Sequence, residues 1–116
     1  MLVLLVDDNT DLRECLAYDL EAGGITVVQA KDGRHALELL LAHAVDLIVS
    51  DIQMPRMDGV ELLERVKAMR PEIPVILMTG GAAITKTEAC AKGAVALFLK
   101  GCEQMELLER VRRFTA

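Results

Sequence analysis

Acids, a hydroxyl and an amine recur in this chain at one kind of place, the point where a short apolar run breaks off. Asp7 and Asp8 follow Leu2-Val3-Leu4-Leu5-Val6, and Asp51 comes after Leu47-Ile48-Val49. Thr79 follows Val75-Ile76-Leu77-Met78, and Lys100 follows Val95-Ala96-Leu97-Phe98-Leu99. The run Ile25-Thr26-Val27-Val28 instead ends in Gln29-Ala30, with nothing reactive. Carboxylates gathered within a few ångströms repel and raise one another's pKa. A hard divalent cation removes that penalty, and Mg²⁺ suits a site of one or two carboxylates, waters and a phosphate. Lysine adds a movable positive charge for a phosphoryl oxygen, and threonine adds a hydroxyl donor. A carboxylate kept ionised can act as a nucleophile and form an acyl phosphate. Phosphoryl transfer asks mainly for such positioning and charge neutralisation. No histidine base accompanies the set.

Elements able to position these residues are legible in the pattern. Short, continuous apolar runs suit parallel strands buried on both faces. Segments of helical period lie between them. The first is expected over residues 10–22, with Leu12, Leu16 and Leu20 on one stripe, a cap at Asp8, Asn9 or Thr10, and a stop at Gly23-Gly24. A second covers 33–42 with Ala36, Leu37, Leu40 and Leu41, and a third covers 58–69 with Val60, Leu63, Val66 and Lys67. A weak, Ala- and Thr-rich fourth spans 83–92, and a fifth spans 103–114 with Leu107, Leu108 and Val111. This alternation predicts a single doubly wound α/β domain over residues 1–116, with a parallel sheet and right-handed crossovers. Ligands of such sheets bind at the carboxyl ends of the strands, which is where the acids, Thr79 and Lys100 fall.

Composition narrows the function classes. With 53% hydrophobic and 27% charged residues the chain is globular, and at 3% aromatic its core must be aliphatic. A net charge of −5 argues against direct nucleic-acid binding, which rests on clustered cations. Arg110, Arg112 and Arg113 are better placed to complement a helix C-terminal dipole. Cys15, Cys90 and Cys102 show no metal or disulfide spacing and read as reduced, partly buried packing residues. No apolar run reaches the ~18 residues of a membrane span, so a cytoplasmic location away from membranes is expected. His35 and His43, away from the strand ends, read as surface or packing residues.

Over most of its length the chain resembles the receiver domain of two-component response regulators. The likeness rests on Asp7-Asp8, on Asp51-Ile52-Gln53-Met54-Pro55-Arg56-Met57-Asp58-Gly59, and on Thr79 and Lys100, in that order. The resemblance implies a flavodoxin-like sheet in the order 2-1-3-4-5 and phosphorylation of Asp51. It further implies Mg²⁺ held directly by Asp8 and Asp51, by the backbone carbonyl of Gln53, and by Asp7 through water. Thr79 and Lys100 would bind phosphoryl oxygens. The implied donor is a histidine kinase or a histidine phosphotransfer protein, and the implied output is a fused effector or a downstream protein. Dimerisation through the fourth and fifth helices is left open.

The sequence departs from the family at two positions. The proline usual after the lysine is Gly101 here, and a cis bond without proline costs about 2.5–4 kcal/mol. A trans Lys100–Gly101 bond is therefore expected. The aromatic usual three residues before the lysine is Leu97, and strand alternation turns Phe98 to the opposite face. Two other readings compete with a phosphorylatable switch. A phosphohydrolase of the haloacid-dehalogenase type would carry its nucleophile after the first strand, not the third. A binding-only receiver gains weight from Leu97 and Gly101 but would typically have lost an acid or the lysine. The blandest reading makes each Asp a helix cap, the common fate of an acid after a strand.

Overall fold

Buried on both faces, the aliphatic runs form the strands of one parallel sheet. In this computed structural model, which describes residues 1–81 and 84–115, the strands are β1 (Leu2–Val6), β2 (Thr26–Ala30), β3 (Leu47–Asp51), β4 (Val75–Thr79) and β5 (Ala96–Leu99). They alternate with α1 (Thr10–Ala22), α2 (Gly33–Ala42), α3 (Gly59–Met69), α4 (Lys86–Ala91) and α5 (Gln104–Thr115). The sheet order is β2-β1-β3-β4-β5 with every pairing parallel, as the resemblance implies. Chain direction across the sheet reverses between β1 and β3, and that switch point leaves a crevice at the strands' carboxyl ends.

Alternation along the strands divides the core in two. Leu4, Val6, Ile48, Leu77 and Leu97 pack with Ala36, Leu40, Leu63, Val66 and Ala89 of α2, α3 and α4. Val3, Leu5, Val49, Ile76, Met78 and Phe98 pack with Leu16, Leu20, Leu107 and Val111 of α1 and α5. Leu97 and Phe98 thus face opposite sides, as expected. Every residue of the central strands β3 and β4 is buried, whereas edge strand β2 buries only Ala30 fully.

Helix starts follow their caps. The side chains of Asn9, Asp32 and Asp58 accept the backbone N–H of Leu12, His35 and Glu61. Thr85 and Glu88 form a reciprocal capping box, which begins α4 at Lys86. The expected start of that helix at Ala83 lies outside the described residues.

Several expectations need correction. Cys15, Cys90 and Cys102 are all exposed, not packing residues. Leu16, Ala17 and Leu20 form the buried face of α1, which turns Cys15 outward. Leu12 and Leu41, placed on buried stripes by spacing, are 50% and 68% exposed. The Lys100–Gly101 bond is trans, as expected, and Gly101 has φ +83, where the fixed φ of proline could not follow.

Gly59 sets how closely α3 can approach the end of β3. Its N–H donates to the Ile52 carbonyl at 2.9 Å, and a Cβ at this position would collide with the carbonyl of Asp51. Gly59→Ala should therefore cost about 2 kcal/mol of stability through overpacking. Gly80→Ala, whose methyl meets open space, should stay within about 0.5 kcal/mol. Urea midpoints at unchanged slope check both, and equal midpoints for the two variants would refute the close-approach account.

Candidate functional site

Every strand end except that of β2 delivers a reactive group to the crevice. Asp7 stands just beyond β1, Asp51 ends β3, Thr79 ends β4 and Lys100 follows β5. The Lys100 ammonium bridges two carboxylates, 2.8 Å from Asp7 Oδ2 and 3.0 Å from Asp51 Oδ2. Asp7 and Asp51 are buried, and 21% of the Lys100 side chain is exposed. Asp8 is exposed at the rim, yet one carboxylate oxygen from each of Asp7, Asp8 and Asp51 lies within 4.8 Å of the other two. The capping reading fails for these acids, since Asn9 and Asp58 cap the adjoining helices. Asp7 is held further by the Asn9 N–H on Oδ1 at 3.0 Å and by Arg13, which donates to its backbone carbonyl at 2.7 Å.

Burial pushes the Asp51 pKa up, partly offset by the hydrogen bond and charge of Lys100. Asp7 adds a further upward push, and the Gln53 amide N–H a small downward one. Burial alone would lower Lys100, but its hydrogen bonds to Asp7 and Asp51 outweigh that and raise it, so it stays charged. Asp51 Oδ1 is buried and makes no hydrogen bond of normal geometry. A buried acceptor left without a partner is costly, and the carboxylate that carries it is clustered with the other two acids. Oxygen donors so placed fit a hard cation such as Mg²⁺.

Thr79, also buried, has its hydroxyl beside Gly81 and the Gln53 side chain. Gln53 Nε2 lies 2.9 Å from the hydroxyl and Oε1 3.1 Å. The hydroxyl has one proton, so it donates to one neighbour and accepts from another. Sequence reasoning gave Gln53 only a backbone role, because nothing in its spacing marks a side-chain bridge to a residue 26 positions away. His35 Nδ1 accepts the Lys31 N–H at 3.2 Å.

The sequence matches the response regulator receiver domain family over residues 3–112. The chain belongs to that family. It is 39% identical over 112 residues to the response regulator protein FleR of Pseudomonas aeruginosa, covering 96% of this chain and 24% of that protein. Among solved structures, the Francisella response regulator 1452 receiver domain superposes with a TM-score of 0.89 at 30% identity, covering 97% of this chain and 94% of that one. Chemotaxis protein CheY4 of Vibrio cholerae gives 0.87 at 31% identity, with 97% of each chain covered. The chain spans roughly a quarter to a half of the curated relatives it matches.

As a receiver domain of two-component systems, the chain brings Asp7, Asp8 and Asp51 together, with Lys100 bonded to two of them. Leu97 is buried against the α2–α4 side. No helix among the described residues is long and apolar enough to cross a membrane.

Since its folded pKa is raised, Asp51 contributes stability that is present below its unfolded pKa and lost as pH rises through the folded value. Asp51→Asn should then stabilise the receiver at neutral pH. The gain should vanish in acid, where the wild-type carboxyl is already neutral. Thermal unfolding against pH checks this; a variant less stable than wild type at pH 7 would contradict the assignment of burial as the dominant cause.

Proposed function

We propose that Asp51 accepts a phosphoryl group from the phosphohistidine of a histidine kinase or phosphotransfer protein, with Mg²⁺ bound at the acidic cluster. The observation that carries this reading is the Asp51 carboxylate, clustered with Asp7 and Asp8, with Oδ2 on Lys100 and Oδ1 buried without a partner. Asp8 and Asp51 would hold the ion directly, with the Gln53 carbonyl, and Asp7 would act through water. Bound there, Mg²⁺ supplies charge neutralisation for the carboxylates and the incoming phosphoryl oxygens.

The remaining work falls to the chain's own residues. A carboxylate oxygen of Asp51 attacks phosphorus, the P–N bond to the donor imidazole breaks, and the imidazole leaves with the bonding pair and takes up a proton. Lys100, already 3.0 Å from Asp51, shifts its ammonium to a phosphoryl oxygen. Thr79 exchanges its bond with Gly81 or Gln53 for another phosphoryl oxygen. These two residues are joined by the Lys100 N–H to Thr79 carbonyl bond at 2.8 Å, so both loops leading to α4 and α5 sense the modification. The switched surface would then act on a fused effector or separate protein. With a net charge of −5, the domain is not itself the DNA-binding part. The assembled cluster gives no support to a binding-only receiver.

A small acyl phosphate donor with Mg²⁺ should add one phosphoryl group per chain, read by intact mass, and Asp51→Asn should take none. Labelling that persists in that variant would falsify the acceptor assignment. Asp8→Ala should weaken Mg²⁺ binding by roughly tenfold or more, measured by calorimetry. An unchanged affinity would remove Asp8 from the ligand set.

A further inference from the structure

On the α1–α5 side of the sheet, next to the acidic cluster, lies a cavity of about 260 Å³. Its floor is apolar and belongs to the core: Leu16, Met78, Phe98 and Leu107 are each less than a tenth exposed. Leu12, half exposed in the first turn of α1, forms one lip, and Gln104 at the start of α5 forms the other. Gly101 leaves the mouth open, because its missing side chain would have met no atom within 4 Å. The polar wall is the Asp7–Lys100 pair.

We propose that this cavity binds a small, uncharged aromatic molecule of one or two rings. Size supports that class, since an apolar cavity of about 150 Å³ already takes benzene. The lining supports it as well: an apolar floor with a few polar groups at one edge is the usual build of a small-molecule site. Phe98 is part of the lining, and an aromatic guest gains from edge or offset contacts with an aromatic neighbour. Charge argues for neutrality. Lys100 is already shared between Asp7 and Asp51, so a charged guest would have to draw one of these groups out of an existing ion pair, which a neutral guest need not do. One hydrogen-bonding substituent at the rim, within reach of Gln104, completes the ligand class.

This inference stands apart from the phosphorylation reading, since it asks only for the cavity. Indole, titrated into the ¹⁵N- and methyl-labelled protein, should give saturable NMR shifts at the Leu12, Leu16 and Leu107 methyls and the Gly101 amide. Leu16→Phe, which fills the floor, should weaken binding at least tenfold. Gln104→Trp, which covers the mouth from a partly exposed position, should do the same if the first variant does not fold. Tryptamine and indole-3-acetate should bind no more tightly than indole. The proposal is overturned by shifts that never saturate, by affinity unchanged in the folded variants, or by tighter binding of either charged analogue.

Discussion

The fold's end is organised by one ammonium between two buried carboxylates. Two ionised acids cannot be withdrawn from water side by side unless a cation accompanies them, and Lys100 is that cation for Asp7 and Asp51. It can reach both only because β1 and β3 are neighbours and β5 ends close by, so sheet order, strand length and loop path all bear on one contact. The surrounding polar groups conform to it. Asn9 and Asp58 take the capping work that the site acids would otherwise do, and Gly59 lets α3 close against the Asp51 carbonyl.

The pairing is deliberately incomplete. Lys100 satisfies one oxygen of Asp51 and leaves Oδ1 buried without a partner, while burial holds the carboxyl above its ordinary range. A protein under selection for stability alone would fill or neutralise such a place. Retaining it makes sense where a cation and an incoming phosphoryl group are to complete the shell, the common situation in which a local rule is broken at a functional site. Thr79 shows the same readiness, its hydroxyl parked against Gln53 and Gly81.

Beyond the acidic cluster, the aromatic of β5 is Phe98, and its neighbour Leu97 faces the other way. Leu97 packs on the α4 side and Phe98 on the α5 side. The Phe98 ring carries Lys86 of α4 at 5.7 Å and Arg110 of α5 at 5.9 Å from its centre, contacts worth a fraction of a kilocalorie to about 1 kcal/mol when exposed. Lys86 also pairs with Glu103 at 2.9 Å, which ties the start of α4 to the start of α5. Glu103 is held below the usual carboxylate range, first by Lys86 and then by the Leu99 N–H. Any shift of α4 must therefore be felt on the face that Phe98 occupies.

Much of this was written in the residues alone. Period and burial fixed five strands and five helices, because a parallel sheet covered on both sides demands unbroken apolar runs. The positions of Asp7, Asp8, Asp51, Thr79 and Lys100 after those runs place all five at the carboxyl ends of the strands. Spacing misled where it had to stand in for packing: Leu12, Leu41 and the three cysteines carry no local signal of which helix face meets the sheet. Nor could sequence show that Lys100 takes both carboxylates, that Gln53 reaches Thr79, or that Leu12 and Gln104 frame a cavity. Those are distances between residues far apart in the chain, and only the closing of the sheet and its helices sets them.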